Sequence, residues 1–279
     1  MRVIEQIGEM QAWADGVRFE SKRIGLVPTM GGLHEGHLSL IRLAKKRTDV
    51  VVVSIFVNPT QFGPGEDYEK YPRTFDQDRY LAEQAGAGVI FSPNAAEMYP
   101  PDFCTTVEVA GLTKGLCGAS RPGHFRGVTT VVAKLLCAVK PHVAVFGQKD
   151  FQQAAVIQGV VRDLNLDVEI VTAPIVREAD GLAMSSRNTF LSPEERREAR
   201  VLFRSLKKAE ESVQAGQQEV SGITQAIRAE ILAMPGVRID YIEMVDPETL
   251  EPVTRIEGRV LVALAVWIGK TRLIDNMIL

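Results

Sequence analysis

The stretch "IGLVPTMGGLHEGHLSLIRLAKKRTDVVVVSIFV", residues 24–57, decides how this 279-residue chain is built. Its first six residues, 24–29, are an apolar run with a strand's composition, closing on Pro28 and Thr29. A glycine-rich turn follows, with Gly31, Gly32 and Gly36 beside His34 and His37, two of the four histidines of the chain. Residues 37–47 have the apolar spacing of a helix, with basic residues near its end, where they complement the helix dipole. Residues 50–57, "VVVVSIFV", are the continuous β-branched run of a strand buried on both faces.

The same alternation extends outward. Residues 88–93, 142–147 and 167–174 read as further strands, and 74–87, 127–140 and 150–164 as helices. This predicts an α/β fold for residues 1–176: a doubly wound, Rossmann-like parallel sheet. The composition then changes. Residues 192–216 read as one long charged amphipathic helix, with Ser192 as cap and Pro193 in the first turn. Residues 223–234 read as a second helix, and 238–246 and 259–269 as paired strands. Residues 177–279 are therefore expected to form a smaller α+β lid domain. The junction, 173–188, carries no obvious secondary-structure pattern, and there is no repeat or low-complexity tract.

Composition narrows the function classes. Hydrophobic residues make up 46% and charged residues 24%, with a net charge of −3, as in an ordinary soluble globular protein. No basic footprint for nucleic acid is present. The longest fully apolar run, 260–268, is too short to span a bilayer, and the start "MRVIEQIGEM" lacks the apolar segment of a secretory signal. Cys104, Cys117 and Cys137 are odd in number and widely spaced, which suits a reducing cytosol and argues against a disulfide framework or a thiolate zinc site. A cytoplasmic location is expected.

Ligands of open parallel sheets bind beyond the carboxyl ends of the strands. Four unusual segments directly follow predicted strands and should converge there: "MGGLHEGH" (30–37), "NPTQF" (58–62), "GQKDFQQ" (147–153) and "READGLAMSSRN" (177–188). His34 and His37 admit three readings: helix cap and surface residue, phosphate donors at a helix N-terminus, or metal ligands with Glu35 or His124 as a third. The spacing is not that of H-E-x-x-H. Lys149 is a solvated lysine or a cation for nucleotide phosphates, and Asp150 a partner for a ribose hydroxyl. Asn58 and Gln61 offer amides to a small polar substrate, or Asn58 only shapes a turn before Pro59. Met184, Ser185, Ser186 and Arg187 suit a phosphate-gripping loop, or a plain turn. Arg121, His124 and Arg126 lie in a glycine-rich segment, 118–128, that reads as a gate or an ordinary loop.

Together, "PTMGGLHEGHLSLI", "SIFVNPTQFGPGEDYEKYPRT", "RPGHFRGVTTVVAKL", "FGQKDFQQ" and "READGLAMSSRN" resemble the pantothenate synthetases, a family of the nucleotidyl-transferase superfamily that includes class I aminoacyl-tRNA synthetases. The resemblance runs from the first of these strands to about residue 192 and is weaker beyond. It implies ATP-dependent joining of pantoate and β-alanine, with Mg2+, through a pantoyl adenylate. It further implies that Met30, Gly31, Gly32, Leu33, His34, Glu35, Gly36 and His37 bind ATP, with both histidines near its phosphates. Gly147, Gln148, Lys149 and Asp150 would hold ribose and phosphate, Val176 the adenine, and Met184 to Arg187 the triphosphate. Gln61 and Gln153, with Asn58, would hold pantoate, and Gln61 would also reach β-alanine. His34, His37 and Lys149 carry the catalytic expectation. A homodimer is also implied. The rivals are a nucleotidyl transferase that makes no amide, a non-catalytic nucleotide sensor, and a histidine-metal hydrolase.

Overall fold

The computed structural model describes residues 1–279. In chain order the elements begin β1 (Arg2–Ile4), α1 (Ile7–Phe19), β2 (Ile24–Thr29), α2 (Glu35–Lys45), β3 (Val50–Ile55), α3 (Phe75–Gln84), β4 (Val89–Phe91) and α4 (Ala95–Met98). They continue with α5 (Leu116–Ser120), α6 (His124–Val139), β5 (Val143–Gly147), α7 (Phe151–Asp163), β6 (Glu169–Ala173) and α8 (Pro193–Ala199). The chain closes with α9 (Val201–Gln214), α10 (Val220–Leu232), β7 (Val237–Val245), β8 (Leu261–Ile268) and β9 (Thr271–Ile278). Contacts divide it into two units: Met1–Ala110, Arg121–Gln148 and Gln153–Pro174 in the first; Gly111–Ser120, Lys149–Gln152 and Ile175–Leu279 in the second.

The first unit holds a six-stranded sheet in the order β1-β4-β3-β2-β5-β6, parallel throughout. This is the doubly wound α/β sheet that the alternation predicts. Central β2 pairs with β3 from Ile24↔Val50 to Thr29↔Ile55, and with β5 at Gly25↔Val143 and Leu26↔Ala144. The strand order reverses between β2 and β5, so their carboxyl ends bound the crevice where ligands bind in such sheets. Val27, Val51, Val53, Ile90 and Val143 are fully buried on the face that meets Leu40 and Ile41 of α2. The sequence pattern does not disclose β1 or α1. The strand has three residues, and α1 buries only Met10 and Ala14, too little for a clear apolar stripe.

The second unit holds an antiparallel sheet in the order β7-β8-β9. Its core joins Leu202 and Leu206 of α9, Ile227 of α10, and Val262, Leu264 and Val266 of β8. Ser192 and Glu195 form a reciprocal cap at the start of α8. The expected long helix is interrupted at Arg200, whose backbone stays right-handed (φ −60°, ψ −19°), so the break is a local loosening. Two features depart from expectation. β9 is a full strand although Arg272, Asp275 and Asn276 interrupt its apolar residues. The segment read as patternless contains a hairpin: Arg177 bridges Ala183, Glu178 N–H donates to Leu182 O (2.8 Å), and Met184 N–H donates to Val176 O (3.0 Å). Asp180-Gly181, with Gly181 at φ 93°, is the turn signal that would have found it.

Candidate active site

In the first unit, the candidate residues 30–37 occupy the loop between β2 and α2 and the start of that helix. Gly31 and Gly32 sit at φ 85° and 61°, a region that side chains disfavour, and both turn the chain sharply off the strand end. The loop is then pinned from α3. Asp78, only 1% exposed, accepts the N–H of Gly32 (2.9 Å) and of Leu33 (2.8 Å), while Gly31 N–H donates to Thr29 Oγ1 (3.2 Å). A methyl group on Gly31 would lie 2.9 Å from Asp78 Oδ2, so that glycine is also needed for the carboxylate to fit. The N–H groups of Gly31, Gly32 and Leu33 are thus engaged within the protein. Close approach of a ligand is open to them; donation is not.

The two histidines cap the helix that follows. His34 is the N-cap of α2: its Nδ1 accepts Gly36 N–H (3.1 Å), while His34 N–H donates to His37 Nδ1 (3.4 Å). The pair fills the reciprocal roles usually taken by Ser or Thr and Glu. Because both Nδ1 atoms accept, a neutral ring carries its proton on Nε2, and each imidazole presents an N–H at that edge. The ring centroids are 4.1 Å apart. Capping and ligand donation are therefore compatible readings, each using one nitrogen. Glu35 is exposed, and its carboxylate pairs with Arg42. No three His, Cys, Asp or Glu side chains come together as a metal cage.

Beyond β3, a relay of side chains sets Gln61. The Tyr99 hydroxyl, whose pKa burial raises above the ordinary value, donates to Asn58 Oδ1 (2.8 Å). Asn58 Nδ2 donates to Gln61 Oε1 (3.0 Å) and Gly127 O (3.2 Å), and Gln61 Nε2 lies 3.1 Å from Met30 Sδ. Asn58 is 1% exposed, so its amide is spent on orienting Gln61. Gln61 in turn presents its N–H2 end, the end that suits a carboxylate or hydroxyl oxygen.

The segment read as a gate is mostly helical, and it grips this same turn. His124 lies within α6, with Nδ1 2.8 Å from Gln61 O and Nε2 3.0 Å from Arg121 NH1. Arg121 also holds Glu66 through two nitrogens (2.7 and 2.5 Å). Burial pushes the Glu66 carboxyl upward, but Arg121, the Gly63 N–H and His124 outweigh it and hold the pKa below the usual value. Arg126 is exposed. Gly127 closes the contact: a Cβ there would collide with Thr60 O and lie 2.7 Å from Gln61 Cα, both backbone atoms. Gly127→Ala is therefore expected to displace the Gln61 turn and lower stability by about 1–3 kcal/mol, measurable by urea unfolding. Gly147 and Gln148 lie at the end of β5, and Gln153 is half-buried in the first turn of α7.

In the second unit Lys149 Nζ stands 3.8 Å from Asp150 Oδ2, and the Lys149 carbonyl accepts Asn276 Nδ2 of β9 (2.9 Å). Val176 and Met184 are the paired ends of the hairpin. Ser185 caps the 3-10 turn Ser186–Phe190 by accepting Arg187 N–H (3.2 Å). Arg177 donates to both oxygens of Asp275 (2.6 and 2.9 Å) and to Gly181 O (3.1 Å), and lies 4.2 Å over the Phe203 ring. Burial raises the Asp275 pKa above the ordinary value, against the opposing pull of Arg177. Asp78, Tyr99, Asp275 and Asn276 escaped sequence reasoning. The one available signal was the polar pair Asp275-Asn276 set between apolar Leu273-Ile274 and Met277-Ile278.

The family described as pantoate–beta-alanine ligase matches residues 2–278. A pantothenate synthetase from Thermotoga neapolitana is 58% identical over 279 residues, all of both chains. The crystal structure of pantothenate synthetase from Thermus thermophilus superposes with a TM-score of 0.94 at 45% identity, covering 99% of each chain. The Francisella tularensis pantoate–beta-alanine ligase, complexed with beta-gamma ATP and beta-alanine, gives a TM-score of 0.79 at 35% identity, covering 99% of this chain and 97% of that one.

Proposed function

The chain belongs to the pantoate–β-alanine ligase family, and on that premise we propose that it condenses pantoate with β-alanine in an ATP-dependent reaction. A pantoate carboxylate oxygen attacks the α-phosphorus, the bond to the bridging oxygen of the β-phosphate breaks, and pyrophosphate leaves. The β-alanine amine then attacks the acyl carbon of pantoyl adenylate. The acyl–oxygen bond breaks, AMP leaves, and the surplus proton passes to solvent. The adenylate is needed because a carboxylate is a poor electrophile, and it must be shielded because water attacks it as well.

The observation that carries this reading is the pair of imidazole Nε2 edges beside a glycine loop whose Gly32 and Leu33 N–H groups are engaged by Asp78. Positioned donors of this kind act on charge that develops in the transition state. We assign His34 and His37 to the α-phosphate, and Lys149 and Arg187 to the β- and γ-phosphates. Met30 to His37 and Gly147 to Asp150 line the nucleotide, Val176 takes adenine by its backbone, and Met184 to Arg187 follow the triphosphate. Gln61 and Gln153 hold pantoate, Gln61 also meets β-alanine, and Asn58 acts through Gln61. Magnesium is assigned to the substrate as the Mg·ATP complex, held by phosphate oxygens and water. Homodimerisation rests on the family resemblance, and a cytoplasmic location on the odd number and wide spacing of the cysteines in the sequence.

The test is exchange of labelled pyrophosphate into ATP. It is expected to require pantoate and to proceed without β-alanine. A sensor or a hydrolase gives no exchange, and another nucleotidyl transferase gives exchange that does not depend on pantoate. Gln61→Ala is expected to raise the pantoate KM about tenfold or more, since an unpaired polar group costs roughly 1–3 kcal/mol. The ATP KM should barely move, and an equal rise in both would remove Gln61 from the pantoate site.

A further inference from the structure

We infer that Asp275 and Asn276 of β9 are positioning residues that mount the lysine turn and the 176–184 hairpin as one phosphate-gripping device; this rests on the assignment of Lys149 and Met184 to Arg187 to ATP.

Successive side chains of a strand point to opposite faces. Asp275 accepts both bonds of Arg177 (2.6 and 2.9 Å), and Asn276 donates to the Lys149 carbonyl (2.9 Å). One dipeptide therefore ties down two segments far apart in sequence. The tie at the hairpin is extensive. Arg177 reaches across to Gly181 O, and Arg196 secures the turn through Glu178 and Asp180. Asn188, just beyond the phosphate-gripping residues, donates to Glu178 Oε1 (2.8 Å) and Ala183 O (3.1 Å).

The chemistry argues for position over stability. Asp275 is 2% exposed and Asn276 is 4%. Burying such groups is costly, and apolar residues of similar volume commonly serve stability as well or better. What a polar pair adds is direction. A lysine ammonium rides on a flexible stem, so the only rigid determinant of its reach is where the backbone starts. Asn276 fixes that start, and its neighbour fixes the base of the hairpin.

The experiment compares wild type, Asn276→Ala, Asn276→Asp, Lys149→Ala and the Asn276→Ala/Lys149→Ala double variant. Two rates are read: pantoate-dependent pyrophosphate exchange, and single-turnover amide formation from prepared pantoyl adenylate with β-alanine. Asn276→Ala is expected to slow exchange about tenfold or more, since an ångström of misplacement can cost roughly 100-fold. The adenylate reaction should stay within about twofold of wild type. Asn276→Asp, near-isosteric but turning a lone pair toward the Lys149 carbonyl, should lose as much. In the Lys149→Ala background, Asn276→Ala should cost little more, the non-additivity of two residues acting through one group. Unchanged exchange in both Asn276 variants overturns the inference. So do equal losses in the two half-reactions, or full additivity with Lys149→Ala. Absence of pantoate-dependent exchange in the wild type overturns the functional reading and this inference with it.

Discussion

His37→Ala is expected to slow pantoate-dependent pyrophosphate exchange about 100-fold or more, the usual effect of deleting one donor aimed at developing charge. The effect should lie in the rate, because an N–H that meets the α-phosphate best as charge builds there contributes little to ground-state binding. His37 also accepts the His34 N–H through Nδ1, so alanine removes half of the reciprocal cap. Loss of a cap typically costs about 1 kcal/mol. His37→Asn separates the two roles: its side-chain oxygen offers the cap an acceptor, and its amide N–H cannot reach as far as Nε2. Asparagine should restore much of the thermal stability and little of the exchange. Near-native exchange in either variant would sink the assignment of His37 to the reacting phosphate.

Asp78→Ala is expected to be the most damaging change away from any substrate. It leaves the N–H groups of Gly32 and Leu33 without their acceptor. Each such loss costs about 1–3 kcal/mol, so several kcal/mol of stability should disappear. The loop proposed to line the nucleotide should lose its single conformation, and exchange should fall at least about 100-fold, in keeping with the sensitivity of such reactions to placement. Asp78→Asn keeps one acceptor oxygen and should be intermediate in both urea unfolding and exchange. An alanine variant with native unfolding and native exchange would show that the glycine loop holds its shape unaided.

These two residues also show what the sequence disclosed and what it hid. His37 drew notice because its type is rare here and its place, just after a glycine-rich turn at a strand end, is unusual. Gln61, Lys149 and Arg187 drew notice through the places of their segments, each following a predicted strand. Asp78 did not. It lies in a helix beside Asp76, where an acidic side chain reads as solvated, and its partners are 45 and 46 residues away. Periodicity records which face a residue occupies within its own element and nothing about what packs on that face. Asn58 illustrates the same limit in another way: its type was noticed, but only coordinates show that its amide is consumed by Tyr99, Thr60, Gln61 and Gly127. The parallel sheet was readable because strands buried on both faces are continuous apolar runs. β9 was not, because its polar pair hides it from that rule.

The strand order has a consequence for how the molecule is made. β2 is complete at residue 29, yet one of its two neighbours, β5, begins at residue 143. On a ribosome adding about 5–20 residues per second, the two edges of the crevice are synthesised several seconds apart. β3 can dock on β2 early, but the other flank of β2 stays open until β5 emerges. The Ile24 N–H meanwhile awaits His142 Nδ1, 118 residues downstream. Non-local parallel pairing of this kind is intrinsically slow and leaves strand edges exposed while it waits. The nascent chain is therefore most vulnerable to strand-edge aggregation while residues 50–143 are being synthesised, and a chaperone that shields extended apolar segments should raise the folded yield most in that interval.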